Sequence, residues 1–116
     1  MIEISKELLS KILNDELSIV NADSILCKLK ESMLIIKCEY LKTKLTPTFS
    51  YNIYELENKG KKWANNKGFR IIEIDTDLFW VIPGKYDISY SFSYGMISSA
   101  HNTFFKACQW ILDNKA

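Results

Sequence analysis

Apolar and polar residues alternate without interruption from Tyr86 to Tyr94. In an extended chain Tyr86, Ile88, Tyr90, Phe92 and Tyr94 share one face, and Asp87, Ser89, Ser91 and Ser93 share the other. The pattern predicts a strand over residues 85–94 with one aromatic face and one small, polar face. Phe104, Cys108 and Ile111 of a following helix are ready partners for the aromatic face, which is therefore expected in the core. The polar face is too small and hydrophilic to pack under an apolar helix. It is expected to be open to solvent or to a docking partner.

Elsewhere the period is helical. Ile4, Leu8, Leu9, Ile12, Leu13 and Leu17 form a stripe that predicts a first helix over about residues 5–17. Residues 18–23 are ambiguous between loop and strand. Residues 24–30 and 33–41 read as a hairpin around Glu31-Ser32, and residues 42–51, with Pro47, as a connector. Asn52 and Glu55 have capping-box spacing at the head of a second helix, and Gly68 suits its C-terminal cap. Gly60 falls on that helix's apolar face, as if to admit close backbone approach to a sheet. Two further strands, 69–75 and 78–82, precede the alternating one, with Thr76-Asp77 and Pro83-Gly84 as turns. A third helix is expected from Ser98 or Ser99 to about Asn114.

The expected fold is α+β, in the order α-ββ-α-βββ-α. It has a mainly antiparallel sheet of about five strands and three covering helices. The 116 residues, 47% of them apolar, suit one domain over residues 1–116 without disulfides or metals.

Charge narrows the function classes. Fifteen basic residues face 14 acidic ones, for a net charge of +1, and Arg70 is the one arginine. Nucleic-acid binders generally carry a basic excess and use arginine forks, so that class is disfavoured. Cys27, Cys38 and Cys108 are an odd number without paired spacing, which suits free thiols in a reducing compartment. The start Met1-Ile2-Glu3-Ile4-Ser5-Lys6 lacks the apolar core of a signal peptide, and no apolar run approaches the ~20 residues of a membrane helix. The expectation is a cytoplasmic protein with no membrane partner.

Candidate chemistry is sparse. His101 and Cys108 lie seven apart on the expected third helix, a spacing that could pair a nucleophile with a base. Cys108 is central to the apolar stripe, so a core role outweighs a catalytic one. Cysteine and histidine spacings fit no zinc motif. Glu73, Asp75, Asp77 and Asp87 read as solvated turn acids rather than an acid/base pair or a cation site. Lys59, Lys61, Lys62 and Lys67 on the second helix could form a basic patch, although Glu55 and Glu57 share the helix. Phe79 and Trp80 must point to opposite sheet faces, and Trp110 falls outside the third helix's apolar stripe. An aromatic there either lies over a neighbouring element or serves as an interface anchor. The expected partner-binding residues are Trp80, Asp87, Ser89, Ser91, Ser93 and Trp110. No catalytic residue, metal ligand or cofactor is expected.

The order of residues 52–114 is similar to that of the double-stranded RNA-binding domain. Ser98-Ser99-Ala100-His101-Asn102 stands where that domain has a lysine-rich helix start, so the likeness is one of order only. The segments Asn52-Ile53-Tyr54-Glu55-Leu56-Glu57-Asn58-Lys59-Gly60-Lys61-Lys62-Trp63-Ala64 and Phe104-Phe105-Lys106-Ala107-Cys108-Gln109-Trp110-Ile111-Leu112 resemble small prophage and mobile-element proteins of AT-rich bacteria. Some of those are similar to phage alpha-beta-alpha sandwich domains. The resemblance implies a phage-derived, non-enzymatic protein that binds and modulates a host protein, such as a defence factor. A nucleic-acid module using the second-helix lysines is the alternative, followed by a Cys-His enzyme. A sheet face left uncovered would favour a homodimer.

Overall fold

The structure, a computed structural model, describes Ile4, residues 6–14 and residues 22–115. Residues 15–23 carried the end of the expected first helix and the ambiguous segment, and most of them, residues 15–21, lie outside the described residues. The class is α+β, but the expected single sheet of about five strands is replaced by two antiparallel three-stranded sheets, with four helices among the described residues. Two compact units result, Met1–Asn58 and Lys59–Ala116.

In the first unit the expected hairpin is present. β1 (Ser24–Lys30) pairs with β2 (Met33–Glu39) around Glu31-Ser32. Leu34, Ile36 and Cys38 alternate along β2 and are fully buried. The expected connector is partly wrong, because β3 (Thr48–Asn52) adds to the far side of β2. Pro47 does not prevent this. It precedes the strand, and its carbonyl accepts from Cys38 N at 3.0 Å, a bond that needs no proline N–H. α1 (Lys6–Asn14) buries Leu9, Ile12 and Leu13, as its stripe requires.

α2 (Ile53–Asn66) starts and stops where the capping residues place it. Asn52 Oδ1 accepts from Tyr54 N at 2.9 Å and from Glu55 N at 3.4 Å. Gly68 has φ +91° and donates its N–H to Asn65 O. Gly60 is buried, as its place on the apolar face suggests.

The second unit holds β4 (Phe69–Asp75), β5 (Leu78–Pro83) and β6 (Ser99–His101), in that spatial order. Two of the three expected strands are correct. The third is not: residues 85–94 do not pair with β5. They form α3 (Ile88–Tyr94), and the short β6 takes the place beside β5. Alternation misled because residues two apart are also four apart at every second step. Tyr86, Tyr90 and Tyr94 lie at i, i+4 and i+8, which is a helix face as well as a strand face. The ends decide. Asp87 Oδ1 accepts from Tyr90 N at 2.7 Å as N-cap, and Gly95 closes the helix at φ +64° with its N–H on Ser91 O.

The last helix starts later than expected. α4 (Phe104–Lys115) is capped by Thr103, whose Oγ1 accepts from Lys106 N at 3.1 Å. Ser98 and Ser99 therefore do not cap it, and His101 is on β6 rather than beside Cys108 on one helix. α4 packs against all three strands of this sheet. Its Phe104 meets Phe79 edge-on at 6.2 Å, and Ala107, Cys108 and Ile111 are fully buried.

Candidate interaction surface

The sheet of the second unit has helices on both faces, and Phe79 and Trp80 report one each. Phe79 faces α4. Trp80 faces the other way and meets Phe92 of α3, ring centroids 4.8 Å apart. Trp80 is half-buried against that ring.

α3 is turned opposite to the expectation. The residue it buries is Ser91, at 0% exposure, while Phe92 is 56% and Tyr94 68% exposed. Of the residue types in α3, serine alone is small enough to sit at a fully buried position under the helix backbone. The bulky residues on either side are forced outward. Ser91 Oγ has no hydrogen-bond partner there. The aromatic residues expected in the core are exposed instead, on two flanks of α3: Phe92 with Ile88 on one, and Tyr90 with Tyr94 on the other. Ile97, just beyond the helix, is exposed as well.

The rings on this surface support one another. Tyr86 and Tyr90 stack with centroids 4.6 Å apart and planes 8° apart, and Tyr90 meets Tyr94 at 4.5 Å. Lys85 Nζ lies 5.1 Å from the Tyr86 centroid, a cation–π contact. A self-stacked ladder presents ring edges and hydroxyls at fixed positions, with less side-chain freedom to lose on binding. Helix propensity does not hold α3 in place. Seven residues fall short of the ~12–15 that an isolated helix needs, and serine, tyrosine and phenylalanine are mediocre formers. Its caps, the rings and the seat of Ser91 hold it.

Of the six residues expected to bind a partner, four are on or beside α3, but not as one polar sheet face. Asp87 is the cap, Ser89 and Ser93 are exposed, and Ser91 is inside. Trp80 lies against Phe92. Trp110 is on the other side of the sheet, half-buried and edge-on to Phe69 at 5.5 Å. Lying over a neighbouring element is the reading that fits it. Tyr90, Phe92 and Tyr94, expected in the core, are exposed, and Tyr86 is half-buried. The signal that could have found them is the pair of caps, Asp87 and Gly95, bracketing i, i+4 spacing.

The other candidate groups are dispersed. Cys108 is fully buried on α4. His101 Nε2 and Ser99 Oγ share a hydrogen bond of 2.6 Å within β6. Burial first, and then Lys106, push the His101 pKa below its usual value, so the ring favours its neutral form. Among the described residues no three histidine, cysteine or acidic side chains group to hold a metal ion, and Asp75 is engaged in capping Thr76 N. No helix among them is long and apolar enough to cross a membrane. In comparisons with known proteins, the chain matches no family, no curated protein and no solved structure.

Proposed function

We propose that this chain is a non-enzymatic binding protein whose partner-facing surface is built from the exposed aromatic residues of α3, the Tyr86–Tyr90–Tyr94 ladder on one flank and Phe92 on the other. One observation carries the reading: Ile88, Tyr90, Phe92, Tyr94 and Ile97 are all exposed within ten residues, beside half-buried Tyr86. Large apolar side chains clustered in this way mark interfaces in soluble proteins, where single exposed ones do not. Tyrosine-rich surfaces suit protein partners because each ring brings area and a hydroxyl at little entropic cost. The likeness of two helical segments to prophage proteins supports a host protein, in the class of defence or regulatory factors, as what it occupies and modulates.

The test is differential capture. The tagged full chain and its Phe92→Ser/Tyr94→Ser variant are each incubated with host lysate, and the bound proteins are quantified by mass spectrometry. A partner held by the first and lost by the second, at equal melting temperature, is the expected result. Equal recovery by both, or recovery of nothing by either, overturns the reading.

A further inference from the structure

Gly68 and Gly84 meet across the base of the β4–β5 hairpin, where Gly84 N donates to Gly68 O at 2.9 Å. A Cβ on Gly84 would stand 3.2 Å from both the carbonyl carbon and the oxygen of Gly68, closer than backbone readily tolerates. The two glycines line an open cleft of about 580 Å³, together with Asn65, Arg70, Pro83 and Lys85. Two of these six residues are cations and none is acidic.

The arginine is held in place. Arg70 Nε donates to Gly84 O at 3.1 Å, which fixes the guanidinium at the cleft and leaves the Nη fork for a ligand. The cleft is continuous with the aromatic surface. Arg70 pairs with Ile82 and Ile72 with Trp80, so Arg70 and Trp80 share one sheet face, the face that carries α3. Lys85 belongs to both sites, lining the cleft while lying over Tyr86.

We infer that the Gly68–Gly84 cleft takes a carboxylate side chain of the bound protein, an aspartate or glutamate that neighbours an aromatic residue seated on the Tyr86–Tyr90–Tyr94 ladder. The inference rests on the reading of α3 as an interface and adds the chemistry of the partner. A planar carboxylate matches an arginine fork in bidentate fashion. A polynucleotide is the poorer fit. It needs a track of cations along its backbone, and here two cations give way to neutral rings and to Asp87, in a chain of net charge +1.

Arg70 is the one arginine, so its Nε–Hε group gives a unique NMR cross-peak. The ¹⁵N-labelled full chain is titrated with acetyl-Phe-Glu-Glu-Phe-amide, with its glutamine counterpart, and with a thymidine oligonucleotide. The glutamate peptide should move the Arg70 Nε–Hε peak and the Gly84 and Lys85 amides, with the glutamine peptide weaker by about tenfold or more. Arg70→Gln should erase that preference at unchanged melting temperature. Equal shifts from the two peptides, or an unmoved Arg70 peak at millimolar glutamate peptide, overturn the inference. So does an oligonucleotide that binds more tightly than the peptide. The two proposals fail separately. Capture lost by Phe92→Ser/Tyr94→Ser but untouched by Arg70→Gln removes the cleft and keeps the interface. Capture untouched by Phe92→Ser/Tyr94→Ser removes the interface.

Discussion

Ser91 and Phe92 are neighbours in the chain and opposites in the fold: the serine is fully buried and the phenylalanine more than half exposed. A hydroxyl buried without a partner costs about 1–3 kcal/mol, and Ser91 Oγ has none. Ser91→Ala keeps the small volume and removes that cost, so it should raise stability by about 1 kcal/mol. Ser91→Leu must instead lift α3 off its support, and overpacking of this kind typically costs about 1–3 kcal/mol. Urea unfolding of the two variants gives both signs. A destabilised Ser91→Ala would mean that the hydroxyl is bonded, for example to a buried water.

The ends of α3 make a second test, because they decide between helix and strand. Asp87→Ala removes the acceptor for Tyr90 N and should cost about 0.5–2 kcal/mol. Gly95→Ala meets no atom within 4 Å, so its cost is the backbone strain of φ +64°, about 1 kcal/mol. Either change should raise hydrogen exchange at α3 and leave α4 as protected as before. Uniform protection loss across the second unit would show that α3 does not open by itself.

Much of the fold is legible where a local signal has one meaning. Glu31-Ser32 between two apolar runs gives the β1–β2 hairpin, and Asn52 with Gly68 brackets α2. Residues 85–94 have two meanings. Their alternation contains the helical spacing of Tyr86, Tyr90 and Tyr94, and β propensity favours the wrong choice. What selects the helix is local capping together with β6, a three-residue strand that occupies the edge of β5. Nothing in Ser99-Ala100-His101 has enough period to announce a strand. The candidate surface was named through Trp80 and Asp87, yet its polar sheet face does not exist. The cleft was invisible in sequence because Arg70 and Lys85 are 15 residues apart and meet only through the register of β4 and β5.

His101 makes stability depend on pH in a definite direction. Burial and Lys106 depress its pKa in the folded chain, while the unfolded chain keeps about 6.5. Between those two values the unfolded state holds more protons, so stability rises with pH. The loss should appear as pH falls through about 6.5 and level off below the folded value. His101→Asn should flatten this part of the profile, read from urea midpoints above the range where carboxylates titrate. A midpoint that rises on acidification across that window would contradict the depressed pKa.

The thiols offer a last test, and one that separates packing from chemistry. Burial pushes the pKa of Cys27 up, and that of Cys38 is raised by burial and then by Cys27. Attack on a disulfide reagent requires thiolate and access. Cys38 and Cys108 are fully buried, whereas Cys27 on β1 is half-exposed. In the native protein Ellman's reagent should therefore modify Cys27 slowly and spare the other two until urea is added. Rapid native modification of Cys108 would reopen a nucleophilic role for that residue.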